Sequence, residues 1–238
     1  MKKILCTICA RGGSKGVKNK NLLMIAGKPL IAHTIDQALK SGLFKHVVIS
    51  TDSDQIASVA KEYGAEVFFK RDQSMASDTA GKLQVIQDAF QKSEEYYDIE
   101  FDYLIDLDAT SPLRDVSDII DTYAHLIKNN YENVITASVS RRSPYFNMVE
   151  FDENKQLKTS KSVDALVVRR QDAPQTYDMN ASIYAWTRDG LLKRQSVIHE
   201  NTGLFIMPEE RSIDIDNPID LEVVSYLLSK KVGIDNAK

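Results

Sequence analysis

Apolar runs of strand length alternate with segments of helical spacing through the first 138 residues, and this alternation restricts the fold more than any other feature. Residues 2–10 form a short apolar strand that runs into a loop rich in glycine and lysine. In residues 29–41, Leu30, Ile31, Thr34, Ile35, Ala38 and Leu39 recur at helical spacing, and Gly42 follows as a stop. Residues 47–51 and 65–69 read as strands around a helix over 52–63, capped by Asp52 or Ser53 and ended by Gly64. A helix over 79–93, a strand over 103–107, a helix over 115–128 and a strand over 133–138 continue the series. Such a series gives an α/β fold, a mostly parallel sheet flanked by helices with right-handed connections. Its ligands bind beyond the carboxyl ends of the strands, where the strand order switches.

The pattern loosens between residue 140 and about residue 180, where Arg141, Arg142, Pro144, Tyr145 and Phe146 precede a polar run over 152–161. This stretch reads as a β-rich excursion or an oligomer arm within a single domain spanning 1–238. Strand character resumes at 181–186, and 212–216 reads as a further short strand. Asn217 then caps a final helix with Pro218 in its first turn, and Leu221, Val224, Leu227 and Leu228 form its apolar stripe.

At 43% hydrophobic and 27% charged residues, the 238-residue chain has an ordinary globular balance and buries a core without disulfides or metals. A net charge of -4 argues against general nucleic-acid binding but leaves room for a local basic pocket. No apolar stretch approaches the roughly 20 residues of a membrane span. The two N-terminal lysines lead into a strand rather than a signal peptide, so the expected location is the cytoplasm. Cys6 and Cys9 have C-x-x-C spacing, but a strand points them to opposite faces and no second pair completes a zinc site. They read as buried small hydrophobes.

The loop after the first strand, Ala10-Arg-Gly-Gly-Ser-Lys-Gly-Val-Lys-Asn-Lys-Asn21, carries the chemistry most plainly. Its glycines let backbone N–H groups approach an anion, and Arg11, Lys15, Lys18 and Lys20 add charge where phosphates would lie. It matches neither the Walker A ending nor G-x-G-x-x-G. A solvated basic loop is the alternative, but its position at the carboxyl end of the first strand favours phosphate binding. In Ser212-Ile-Asp-Ile-Asp216, strand alternation places Asp214 and Asp216 on one face. Two adjacent carboxylates repel unless a cation sits between them, and Mg²⁺ often takes only one or two protein carboxylates beside phosphates.

Asp108, Thr110 and Ser111 supply hydrogen-bonding groups at the next strand end, before Pro112 breaks the strand, although part of that segment serves as a capping turn with Asp115. Arg71 precedes Ala76-Ser-Asp-Thr79, in which Ser77 or Asp78 is a helix N-cap, a position that also binds anions. Arg169, Arg170 and Gln171 lie in the irregular stretch; a bidentate arginine clamps a carboxylate, and surface arginine is the competing reading. His33 and His125 fall within helix patterns, and no histidine sits beside a nucleophile.

Taken together, these blocks resemble the CMP-sugar synthetases for nine-carbon α-keto acids, typified by acylneuraminate cytidylyltransferase. The resemblance spans nearly the whole chain: Ala10-Arg-Gly-Gly-Ser-Lys-Gly…Lys20-Asn21, Ser50-Thr-Asp52, Arg71…Ala76-Ser-Asp-Thr79, Thr110-Ser-Pro-Leu-Arg114, Asn180…Ile183-Tyr184 and Ser212-Ile-Asp-Ile-Asp216. It implies a Rossmann-like nucleotidyltransferase fold and a homodimer formed through residues 140–178. By resemblance, Ala10, Arg11, Gly12, Ser14, Lys15, Lys20 and Asn21 contact CTP, and Arg71, Ser77, Asp78 and Thr79 bind the base and adjoining nucleotide. Asp214 and Asp216 hold Mg²⁺; Asp108, Thr110, Ser111, Arg170, Gln171 and Asn180 face the acidic sugar. The implied reaction is attack of the anomeric hydroxyl on the α-phosphate of CTP, with Arg11, Lys15, Lys20 and Asp214 as the catalytic set.

Two blocks depart from the sialic acid enzymes. These carry Gln-Pro-Thr-Ser-Pro-Leu-Arg where this chain has Asp108-Ala-Thr-Ser-Pro-Leu-Arg114, and Arg-Pro-Asn-Gly where it has Asp178-Met-Asn-Ala181. Both lie on the sugar side. The first swaps a donor–acceptor amide for an acceptor, and the second removes a cation. The Asp-Met-Asn-Ala-Ser-Ile-Tyr version resembles the bacterial branch that activates legionaminic acid, a 5,7-diamino relative of sialic acid; the alternatives are a sialic acid synthetase and, behind it, a pseudaminic acid or Kdo enzyme or a non-catalytic nucleotide-binding protein.

Overall fold

Residues 2–13, 16–76, 81–163 and 167–235 are described by a computed structural model of the chain. In chain order the elements begin with β1 (Ile4–Cys9), a small hairpin of β2 (Met24–Ile25) and β3 (Lys28–Pro29), α1 (Leu30–Ser41), β4 (His46–Ser50) and α2 (Asp54–Glu62). They continue with α3 (Lys82–Tyr97), β5 (Tyr103–Leu107), α4 (Val116–Asn129), β6 (Asn133–Val139), β7 (Val149–Phe151) and β8 (Leu157–Thr159). The chain closes with β9 (Tyr177–Thr187), α5 (Arg188–Lys193), β10 (Thr202–Ile206) and α6 (Pro218–Asp235). No helix among the described residues is long and apolar enough to cross a membrane.

Six strands form one sheet in the order β10-β6-β9-β5-β1-β4. β1 pairs in parallel with β4 and β5, and β10 in parallel with β6, whereas β9 runs antiparallel between β5 and β6. The chain leaves β1 for β4 on one side and returns to β5 on the other. The strand order therefore switches at β1, and the crevice at its carboxyl end lies where the basic loop emerges.

The faces of β1 explain the packing. Cys6 and Ile8 join Ile31, Ile35, Ile49 and Ile105 on one side of the sheet. Leu5 joins Val48, Ile86, Phe90, Leu104 and Trp186 on the other, and Cys9 packs against that second cluster. The two cysteines thus face opposite sides, as strand geometry dictates. Burial first, and the charge of Asp106 second, raise both thiols well above their ordinary range, so they stay protonated.

Local signals set most helix ends. The Ser53 hydroxyl accepts from the Ile56 amide, and Gly42 ends α1 at φ +64°. Asp115 and Asp118 form a reciprocal capping box at α4. The Asn217 side chain accepts from the amides of Ile219 (2.8 Å) and Asp220 (3.0 Å), capping α6 as expected.

Three expectations change. Residues 65–69 do not form a strand: only Glu66 bridges Val48, and the next residues turn aside so that Phe68 stacks on Tyr96 at 4.1 Å. Helix α3 begins at Lys82 rather than 79, with Gly81 as its N-cap, while Ser77 and Asp78, the expected caps, lie outside the described residues. Residues 212–216 run outside the sheet, after a short turn over Glu209–Arg211. The second edge of the sheet is instead β10, whose short run beside Gly203 has little strand signal. The 140–178 excursion does contain β structure, the antiparallel hairpin β7–β8.

Candidate active site

Three segments converge at the carboxyl end of β1. The first is the basic loop. Ala10 is buried, and its amide donates to Ser50 O at 3.0 Å, extending the β1–β4 ladder by one residue. The Gly12 amide donates to Asp52 Oδ1 (2.9 Å), and Arg11 Nη1 reaches Ala76 O at 3.5 Å. Asn21 is buried, and its Nδ2 donates to Arg11 O at 3.1 Å, so it shapes the loop from below. Ser14 and Lys15 lie outside the described residues, as do Ser77, Asp78 and Thr79.

The second segment is the carboxylate run. Ile215 is buried among Ile25, Leu30, Leu113, Val224 and Leu228, and its amide donates to Thr110 O at 3.0 Å. This anchor does the work that a sheet ladder would otherwise do. Lys20 Nζ donates to Ile215 O and lies 3.4 Å from Asp216 Oδ1. A β-carbon on Gly16 would lie 1.9 Å from Asp216 O, so loop and carboxylate run touch backbone to backbone. Burial, then the charge of Asp216, raises Asp214 from the usual 3.8 to about 6. Among the described residues no group of three or more His, Cys, Asp and Glu side chains is arranged to hold a metal ion. Asp214 and Asp216 form a pair rather than an all-protein cage, which suits Mg²⁺ bound between protein and phosphates.

The third segment follows β5. Asp108 Oδ1 accepts from the amide (3.0 Å) and hydroxyl (2.9 Å) of Thr110, and Oδ2 accepts from Lys82 Nζ at 2.7 Å. Lys82 also lies 3.4 Å from Asp106 Oδ2 and sits over the Tyr184 ring at 4.7 Å. Burial alone would raise Asp108; the Lys82 charge and these hydrogen bonds reverse it and hold the carboxyl well below its usual range. Ser111 is fully buried, with a hydroxyl that has no hydrogen-bond partner. Below this turn lies Arg114, with no solvent exposure. Its guanidinium donates to Gln37 Oε1 (2.9 Å), Thr34 Oγ1 (2.7 Å), Ser182 Oγ (3.1 Å) and the carbonyls of Ser182 and Asp108. Arg114 therefore fastens α1, β9 and the β5 turn together.

The other expected residues surround this centre. Arg71 is buried at the end of β4, where it donates to Ser50 Oγ (3.0 Å) and Ser50 O. Asn180 is buried too: its Oδ1 accepts from Thr136 Oγ1 (2.7 Å), and its Nδ2 donates to Ser212 Oγ (3.0 Å) at the root of the carboxylate run. Arg170 and Gln171 are set apart. They line a cavity of about 330 Å³ with Val139, Ser140, Ser143 and Thr176, and none of the loop or carboxylate residues lines it. Arg170 Nη2 donates to Ser140 O, and the Ser140 hydroxyl donates to Asp178 Oδ1 at 2.7 Å.

Sequence reasoning missed Lys82 and the hub role of Arg114. For Lys82 a signal existed: Asp106 and Asp108 alternate as Asp214 and Asp216 do, and two carboxylates on one strand face call for a cation.

Residues 5–231 match the family model described as Cytidylyltransferase. The chain is 54% identical, over 97% of both lengths, to the CMP-N,N'-diacetyllegionaminic acid synthase of Campylobacter jejuni. It is 53% identical, again over 97% of both, to post-translational flagellin modification protein B of Campylobacter coli. Among solved structures it resembles CMP:2-keto-3-deoxy-manno-octonic acid synthetase complexed with CTP, with a TM-score of 0.70 at 19% identity over 97% of this chain and all of that one. That likeness shows the fold, and because the family model matches nearly the whole chain, the protein belongs to the cytidylyltransferase family.

Proposed function

We propose that the protein transfers CMP from CTP to the anomeric hydroxyl of a nine-carbon α-keto acid sugar of the legionaminic acid type. The observation that carries this reading is the 54% identity, over 97% of both chains, to a CMP-N,N'-diacetyllegionaminic acid synthase. The site supports it, because a glycine-rich cationic loop meets a carboxylate pair at the switch point of the sheet. In the reaction the sugar oxygen forms a bond to the α-phosphorus, the bond to the pyrophosphate oxygen breaks, and pyrophosphate leaves. Arg11, Lys15 and Lys20 balance the charge that grows on the leaving group. Gly12, Ser14, Asn21, Arg71, Ser77, Asp78 and Thr79 hold the nucleotide. Asp214 and Asp216 hold Mg²⁺, which supplies Lewis-acid charge at phosphate oxygens. Asp108, Thr110, Ser111 and Asn180 form the acceptor side, and Arg170 and Gln171 complete it from the excursion. Asn180 acts there through Ser212, since its amide is already engaged.

The active form is proposed to be a homodimer built on the excursion, in the cytoplasm where CTP is made. The hairpin supports the dimer: Phe151 and Leu157 are 72% and 63% exposed, beside exposed Met148 and Val149. Incubation with CTP, Mg²⁺ and N,N'-diacetyllegionaminic acid tests the reaction. Stoichiometric pyrophosphate and a CMP–sugar adduct by mass spectrometry are expected. No adduct, or equal product from UTP, overturns the reading.

A further inference from the structure

Lys82 is a cation that the acceptor-side turn holds between two carboxylates. Its ammonium is fixed by Asp108 at 2.7 Å and approached by Asp106 at 3.4 Å, and its side chain remains 31% exposed. An ammonium has three N–H donors. One goes to Asp108, a second faces Asp106, and the ammonium otherwise meets only the Tyr184 ring, 4.7 Å away, a weaker contact than a hydrogen bond to an oxygen. Asp108 is also only partly used. Its Oδ1 accepts twice from Thr110, whereas its Oδ2 accepts once, from Lys82, and keeps a lone pair. The turn therefore offers, side by side, one donor engaged only by an aromatic face and one free acceptor. That is the pairing a glutamine amide would offer in one side chain, and here it is split between two residues and carried by charge.

The sign of the cluster restricts what can bind. One ammonium faces the carboxylates of Asp106 and Asp108, and the charge of Asp108 also reaches Asp214. Buried Arg114 supplies a second positive charge beneath the turn, so the two carboxylates are already balanced and the cluster has no spare positive charge for a substrate carboxylate. A neutral group that both donates and accepts, a hydroxyl or an acylamino group, meets complementary partners on both sides. We infer that Lys82 and Asp108 together read a neutral hydroxyl or acylamino substituent of the acceptor sugar, with Lys82 as a substrate-contacting specificity residue. This rests on the acceptor reading given above.

Steady-state kinetics on the full chain test it, with CTP and N,N'-diacetyllegionaminic acid varied separately. Lys82→Gln keeps a donor and removes the charge; it should fold, raise KM for the sugar about tenfold, and leave KM for CTP within about twofold. Lys82→Met removes the donor and should lower kcat/KM for the sugar about 100-fold, the range set by a lost hydrogen bond to a charged group. Lys82→Met with Asp108→Asn relieves the unpaired carboxylate, so its melting temperature recovers while the defect toward the sugar persists. Recovery of both would show a purely structural ion pair and overturn the inference. An unchanged KM for the sugar in both single variants, or a loss confined to CTP, would also overturn it. If the unmodified enzyme turns over no nine-carbon acid, the acceptor reading itself fails, and that result is separate from any effect of Lys82.

Discussion

Ala181 holds φ at +51° inside β9, at the irregularity where the register with β6 shifts between Ile135 and Ala137. A β-carbon in the left-handed region costs about 1–2 kcal/mol, and glycine returns part of that through a freer unfolded chain. Ala181→Gly should therefore raise the unfolding free energy by about 1 kcal/mol in urea titration. A loss of stability would contradict the strained backbone. Asp214 carries strain of another kind. Its folded carboxyl titrates at about 6 against an ordinary 3.8. Between those values the folded chain binds more protons than the unfolded one, so stability falls as pH rises through that window. Asp214→Asn removes the cost. Without added metal it should melt above the parent at neutral pH, with the advantage gone below about pH 4, and its turnover should drop at least about 100-fold. Equal melting at neutral pH would show that burial and the charge of Asp216 do not disfavour the ionised Asp214.

At the scale of elements, the contact between the β1 loop and the carboxylate run decides the site. Gly16→Ala forces a β-carbon against Asp216 O, and the loop must move away from Asp214 and Asp216. The expected result is a KM for CTP raised about tenfold, equivalent to ~1.4 kcal/mol, with little change in melting temperature. Arg114→Met acts differently. It removes five hydrogen bonds of a buried guanidinium at once and leaves the Ser182 and Asp108 carbonyls with one donor each, the Asp108 amide and the Thr34 hydroxyl, so a loss of about 3 kcal/mol or more in unfolding free energy is expected. These elements also show what the sequence could and could not disclose. The basic loop was readable because glycines and lysines follow a fully apolar strand, and the caps at Ser53, Asp115 and Asn217 were readable because their bonds are local. Residues 212–216 alternate as a strand does, yet they are held by one long-range bond from Ile215 to Thr110 and by core packing. The charge of Asp216 reaches Asp214, but the expected strand does not exist. β10 was missed because it is a short edge strand recruited by β6. Lys82 was missed because its partners Asp106 and Asp108 lie 24 and 26 residues away, and a lysine in the first turn of a helix looks like surface.

At the scale of the molecule, the parallel strands set the switch point at β1, and antiparallel β9 carries Asn180, Ser182 and Tyr184 from the excursion back beneath the site. The excursion is thus wired to the centre through β9, which is why a dimer formed on it would bear on acceptor binding. Phe151→Asp with Leu157→Lys should convert the proposed dimer to a monomer in light scattering and impair turnover of the sugar. A parent protein that is monomeric at micromolar concentration would contradict the proposed dimer. The central claim concerns the acceptor, and the ratio of kcat/KM values across a panel tests it most directly. With CTP and Mg²⁺ in excess and pyrophosphate release as the signal, N,N'-diacetyllegionaminic acid should exceed N-acetylneuraminic, pseudaminic and Kdo acids by at least about tenfold, the discrimination that one polar contact supports. A higher value for N-acetylneuraminic acid, or release with none of the four, would contradict the account.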